Sequence, residues 1–178
     1  MYARIALNLF LIFCVFLLQL GFISGLPLYL NSLNLILIFL VFLLETKTFK
    51  IPFIWAFTAG FLMDLYYFNI PGNYLFSLLI SLFLMNFLLK NFFTNRSLYS
   101  YLALIFFGNL IFKIIWYFYN FVLSFILKNN VAYTFNFLFF KKELISLGIN
   151  ILAVAIGFYI ISFIGSNFKP VFLLRKKR

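Results

Sequence analysis

Six apolar runs follow one another along this chain, at residues 5–23, 27–44, 51–70, 73–89, 99–127 and 144–164, with only short polar breaks between them. A helix of about 20 apolar residues matches the hydrocarbon thickness of a bilayer. The pattern predicts an all-α membrane protein with six transmembrane helices in one domain, residues 1–166, and a basic tail at 167–178. Composition agrees, at 66% hydrophobic, 10% charged and mean hydropathy +1.14. A soluble domain carries about 25% charged residues, and this chain has too little polar surface to cover a globule in water.

The missing residue types narrow the chemistry. Histidine is absent, which removes Ser-His hydrolysis, His phosphotransfer and His-based metal sites. Cys14 has no second cysteine to pair with. An intramembrane aspartyl protease needs two carboxylates sharing a site, and Asp64 is the one acid placed inside a run. The expectation is a non-enzymatic protein with no cofactor and no metal. The 30 Phe and 11 Tyr accompany abundant Asn, Ile and Lys, a codon-bias pattern that gives single aromatics little weight as site residues.

Between the runs lie Ser24-Gly25-Leu26-Pro27, Glu45 to Lys50, Asn69-Ile70-Pro71-Gly72, Lys90 to Arg96 and Lys128 to Glu143. Pro27 suits the first position of a helix, so the second span is expected to begin there. Asn31 and Asn34 then share a face for helix–helix hydrogen bonding, and Gln19 can reach a neighbouring helix. The fifth run exceeds about 20 residues and needs tilt or a kink. In the segment 128–143, Tyr133, Phe135 and Phe137 alternate with polar residues, as an interfacial strand or helix. The first run resembles a signal peptide in polarity, but signal cores span about 7–15 residues, and a retained span is expected.

Charge sets the orientation. With the N-terminus cytoplasmic, Arg4, Lys47, Lys50, Lys90, Arg96, Lys169 and the terminal Arg175-Lys176-Lys177-Arg178 all face inward, against Lys128, Lys141 and Lys142 outside. The positive-inside rule favours both termini in the cytoplasm. The net charge of +11 then meets anionic membrane lipids, with no nucleic acid required.

Asp64 stands out within the third run. An acid at mid-membrane costs about 2.5–3.5 kcal/mol on insertion scales and marks a functional site by default. Ala56, Gly60 and Asp64 recur every four residues, on one helix face that admits a close neighbour. Lys113 sits at matching depth in the fifth run, about 20 Å from the helix start at 1.5 Å per residue. An Asp64–Lys113 ion pair is one expectation. In the alternative, Lys113 snorkels or meets Asn109, and Asp64 meets backbone or water.

Gly60-Phe-Leu-Met-Asp64, followed by Gly72 directly after Pro71, resembles the MreD family of rod-shape-determining proteins. That family carries Gly-xxx-Asp with a further Gly eight residues on. A proline opening the second span, a charged residue in a long fifth span, Asn150 in the last span and a basic tail also fit. Lys113 departs from the acid that members often have in the fifth span. The resemblance implies an inner-membrane component of the bacterial cell-elongation machinery, bound to a single-span MreC-like partner. Through it the protein would work with MreB and the RodA/penicillin-binding-protein pair. It also implies a helical bundle similar to the substrate-binding subunits of energy-coupling-factor transporters. Pro71 with Gly72, and Tyr133, Phe135 and Phe137, are the candidate partner contacts.

A transporter subunit of that fold is the second reading. Its common Ala-xxx-Ala docking motif is not matched, because Ala3 and Ala6 are three apart.

Overall fold

A computed structural model describes residues 2–27, 29–46, 48–67, 72–93, 97–126 and 137–173. The described residues are mostly helical, with no strand among them. Six α-helices run in order: α1 (Tyr2–Leu17), α2 (Leu35–Thr46), α3 (Lys50–Tyr67), α4 (Asn73–Asn91), α5 (Leu98–Ile126) and α6 (Phe137–Leu173). Among the described residues, three stretches are long and apolar enough to cross a membrane: Asn73–Asn91, Leu98–Val122 and Phe140–Phe163.

α2 is the hub. It packs against each of the other five helices, and Leu37, Leu40 and Val41 are wholly buried. Its sequence LILIFLVFLL is apolar all round, as a helix enclosed on every side must be. α4 lies between α3 and α5, and α5 also packs on α6. α4 and α5 run antiparallel: Tyr74 meets Phe112 with ring centroids 5.6 Å apart, while Gly108 lies against Met85 toward the other end. Ile12, Val15 and Phe16 of α1 join the same core.

The second span departs from expectation. Helix does not start at Pro27 but at Leu35, after a short 3-10 turn, Leu30–Ser32, and an extended Leu33. The cause is local side-chain chemistry. Asn34 Oδ1 accepts a bond from the Leu37 N–H at 3.1 Å, which caps α2 and ends the chain's option of continuing the helix backward. Before this break, α1 widens into a π-helical turn, Leu18–Ile23, where the Ser24 N–H reaches back to the Gln19 carbonyl.

The fifth run is one continuous helix of 29 residues. The sixth begins earlier and ends later than the apolar run suggests: α6 takes in Phe137, Lys141, Lys142 and Glu143 at one end and continues to Leu173 at the other. Segment 128–143 is therefore helical from Phe137 onward, and the expected tail is helical as far as Leu173. Tyr133 and Phe135 lie outside the described residues, as does the side chain of Phe137.

Two glycines separate packing from propensity. A Cβ on Gly60 would stand 2.7 Å from the Leu75 Cα, a backbone atom of α4. A Cβ on Gly148 would meet nothing within 4 Å. Gly60→Ala is expected to lower stability by about 1–3 kcal/mol through overpacking, while Gly148→Ala gains about 1 kcal/mol of helix propensity. Thermal unfolding of the two variants in detergent checks this, and equal melting points would refute the tight α3–α4 contact.

Candidate functional site

α4 starts without a side-chain cap of its own. Gly72 precedes it with φ 96 and ψ −10, a left-handed conformation that glycine adopts without steric cost. The first turn of any helix presents N–H groups with no intrahelical acceptor. Here the acceptor comes from α3. Asp64 Oδ1 accepts from the Tyr74 N–H at 2.8 Å, and Oδ2 accepts from those of Gly72 and Leu75, both at 3.1 Å. The carboxylate also lies where the positive end of the helix dipole favours an anion.

Gly60, Asp64 and Gly72 form one device. Gly60 lets α4 come against α3 at Leu75. One helical turn on, Asp64 meets the N–H groups of the same stretch of chain, and Gly72 makes the turn that aims them. A side chain at Gly72 would also collide with the Phe76 ring at 2.9 Å. Tyr67 and Tyr74 stack across the junction, with centroids 5.4 Å apart and planes 4° from parallel. Asp64 is 8% exposed, and its described bonds all use its oxygens as acceptors, so the site binds backbone. Pro71 is outside the described residues.

The expected Asp64–Lys113 pair is not formed. Lys113 Nζ lies 3.2 Å from Glu143 Oε2, and the Tyr117 hydroxyl donates to Glu143 Oε1 at 2.8 Å. Two facts displace the pairing. Three backbone N–H groups satisfy Asp64, and the early start of α6 carries Glu143 beside α5. The sequence signal for this cluster was the four-residue spacing of Lys113 and Tyr117, which places both on one face.

Asn150, the fifth site residue expected, works at the break before α2. Its Oδ1 accepts from the Asn34 N–H at 2.8 Å, and its Nδ2 donates to the carbonyls of Ser146 at 2.9 Å and Ser32 at 3.4 Å. The Ser146 hydroxyl also donates to the Ser32 carbonyl. From the other side Gln19 spans the gap, donating to the Leu33 carbonyl at 3.0 Å and accepting from the Leu35 N–H at 2.7 Å. Non-helical backbone in a membrane bundle persists only where protein or water satisfies it, and these side chains do so.

Two buried polar features have no sequence forecast. Glu45, expected in a loop, belongs to α2 at 5% exposure and accepts a bond from the Ser100 hydroxyl of α5. On α4, Asn73, Ser77 and Ser81 are all buried at four-residue spacing. The Asn73 amide and the Ser77 hydroxyl have no hydrogen-bond partner among the described residues. No group of three or more Cys, Asp or Glu side chains gathers among the described residues.

The arrangement defines a helical bundle in which the Asp64 carboxylate closes the α3–α4 junction. Compared with protein-family models, curated proteins and solved structures, the chain matches none.

Asp64→Asn replaces one acceptor oxygen by an amide that faces N–H donors. Each lost charge-assisted bond is worth about 1.5–3 kcal/mol, so a clear drop in melting temperature and in membrane accumulation is expected. Ser77→Ala removes a buried hydroxyl without a partner and is expected to be neutral or stabilising. A double-mutant cycle between Lys113→Leu and Glu143→Gln should give a coupling of about 0.2–1 kcal/mol, discounted because the two side chains are 33% and 21% exposed. The cycle between Asp64→Asn and Lys113→Leu should give none; a coupling there would restore the Asp64–Lys113 pair.

Proposed function

We propose that this chain is a non-enzymatic integral membrane scaffold of the bacterial cell-elongation complex, of the MreD type. In this reading it crosses the inner membrane six times with both termini cytoplasmic, and it binds an MreC-like single-span protein. MreB and the RodA/penicillin-binding-protein pair are reached through that partner, and the role is support of rod shape and peptidoglycan synthesis. The observation that carries the reading is the convergence of Gly60, Asp64 and Gly72 on the α3–α4 junction. The residues on which the family resemblance rests are thus one structural device with a shared mechanical purpose. A rigid junction presenting Gly72 and the neighbouring tyrosines, Tyr66 at 54% and Tyr67 at 40% exposure, suits a protein that works by holding a surface for a partner.

A second reading, the substrate-binding subunit of an energy-coupling-factor transporter, is favoured by one observation. The interrupted helix before α2 lines a cleft, and broken helices accompany ligand sites in many transporters.

Affinity purification of the tagged chain from its native membranes separates the two. The scaffold reading expects an MreC-like protein with elongation-complex members, and a weaker yield of that partner with Asp64→Asn after correction for protein amount. Recovery of a coupling ATPase pair without wall-synthesis proteins would establish the transporter reading instead.

A further inference from the structure

α2 by itself, without the non-helical stretch that precedes it, is too short to reach across a bilayer. Its 12 residues rise about 18 Å at 1.5 Å each, against a hydrocarbon core of about 30 Å. The shortfall falls at the Leu30–Leu33 break, where the bundle is indented. There a cleft of about 270 Å³ opens between the break, α5 and α6. Asn31 and Ser32 form its floor, Lys113, Trp116 and Tyr117 one wall, and Lys142 with Glu143 the other.

The lining is rich in donors and short of acceptors. Its one carboxylate, Glu143, is already engaged by Lys113 and by the Tyr117 hydroxyl. The Ser32 carbonyl is occupied by Ser146 and Asn150. Lys142 is exposed and makes no hydrogen bond or ion pair among the described residues. Two lysines, a tryptophan and an asparagine thus line a space whose one carboxylate is already engaged. The ligand chemistry that fits is an anion made of acceptors alone, a phosphate ester. Lysine suits it as a point charge.

The surroundings indicate that the phosphate belongs to a membrane lipid. Lys142, Ile149 and Ile156 are spaced by seven along α6, so they share one face. Ile156 is 60% exposed, and the face leads away from the cleft along the apolar run as a track for an acyl chain. Trp116, Tyr117 and Tyr119 cluster at this end of α5, as aromatic side chains do at headgroup depth. We propose that this cleft is a binding site for the phosphate headgroup of an anionic membrane lipid, with Lys142 as its principal charge and Lys113 held ready by Glu143. The proposal stands apart from the scaffold reading, since it needs no protein partner.

Trp116 provides the readout. The chain has two tryptophans, and Trp55→Phe leaves Trp116 as the sole reporter. Lipids brominated on the acyl chain quench indole fluorescence on contact. Titrated in neutral-detergent micelles, brominated phosphatidylglycerol is expected to quench at about tenfold lower concentration than brominated phosphatidylcholine. Lys142→Gln should erase most of that preference, because a lysine near anionic lipid contributes about 1 kcal/mol, or roughly fivefold. Lys141→Gln, an exposed neighbour outside the cleft, should leave it intact. Equal quenching by the two lipids, or equal loss in the Lys141 and Lys142 variants, overturns the proposal. Relief of quenching by millimolar inorganic phosphate overturns the lipid assignment in favour of a soluble phosphate. If Trp55→Phe fails to fold, native mass spectrometry of the protein with both tryptophans takes its place: preferential retention of phosphatidylglycerol supports the site, and equal retention of the two lipids overturns it.

Discussion

A helix that begins inside a bundle must find acceptors for its first N–H groups, and in this protein one carboxylate supplies three of them. Asp64 reaches from α3 to Gly72, Tyr74 and Leu75, and the placement of α4 follows. α4 in turn sets α5 through Tyr74–Phe112 and Gly108–Met85. The desolvation of an acid in an apolar setting is offset by hydrogen bonds to charge, stronger than neutral ones by about a factor of two. No cation is needed to hold it there. Lys113 is released for Glu143, and the two acids of this end of the bundle serve different purposes.

The same requirement governs the break before α2. Its backbone groups are met by Gln19 from one side and by Asn150 and Ser146 from the other. The polar residues that look isolated along the sequence thus belong to two patches, one closing the α3–α4 turn and one closing the break. Each patch substitutes side-chain hydrogen bonds for helical ones that the chain gives up. At the opposite end of the bundle Glu45 and Ser100 link α2 to α5, so the hub helix is tied by polar contacts near both of its ends.

Much of this is legible in the sequence alone. Apolar runs locate the helices because a bilayer-thick stretch needs a fixed length, and the spacing of Gly60, Asp64 and Gly72 singles out the α3–α4 junction. Asp64's backbone partners are legible only as the second of two alternatives. Backbone donors leave no mark in a sequence, whereas Lys113 at matching depth is conspicuous. Glu143 is hidden for a related reason: it stands beside two lysines at the edge of an apolar run, which reads as a loop until the helix is seen to start at Phe137. The break at residues 30–33 escapes because Leu, Asn and Ser there are compatible with helix. Gln19 and two partners more than a hundred residues away, Ser146 and Asn150, make the broken form stable.

That long reach has a consequence for biosynthesis. The bonds that satisfy Ser32 and Asn34 come from α6, which leaves the ribosome after the other five helices. Until α6 arrives, the entry to α2 carries polar backbone without its final partners, and the most buried helix of the bundle cannot settle. A chain cut short before Ser146 therefore keeps an unfinished centre. The core is complete only once α6 is in place.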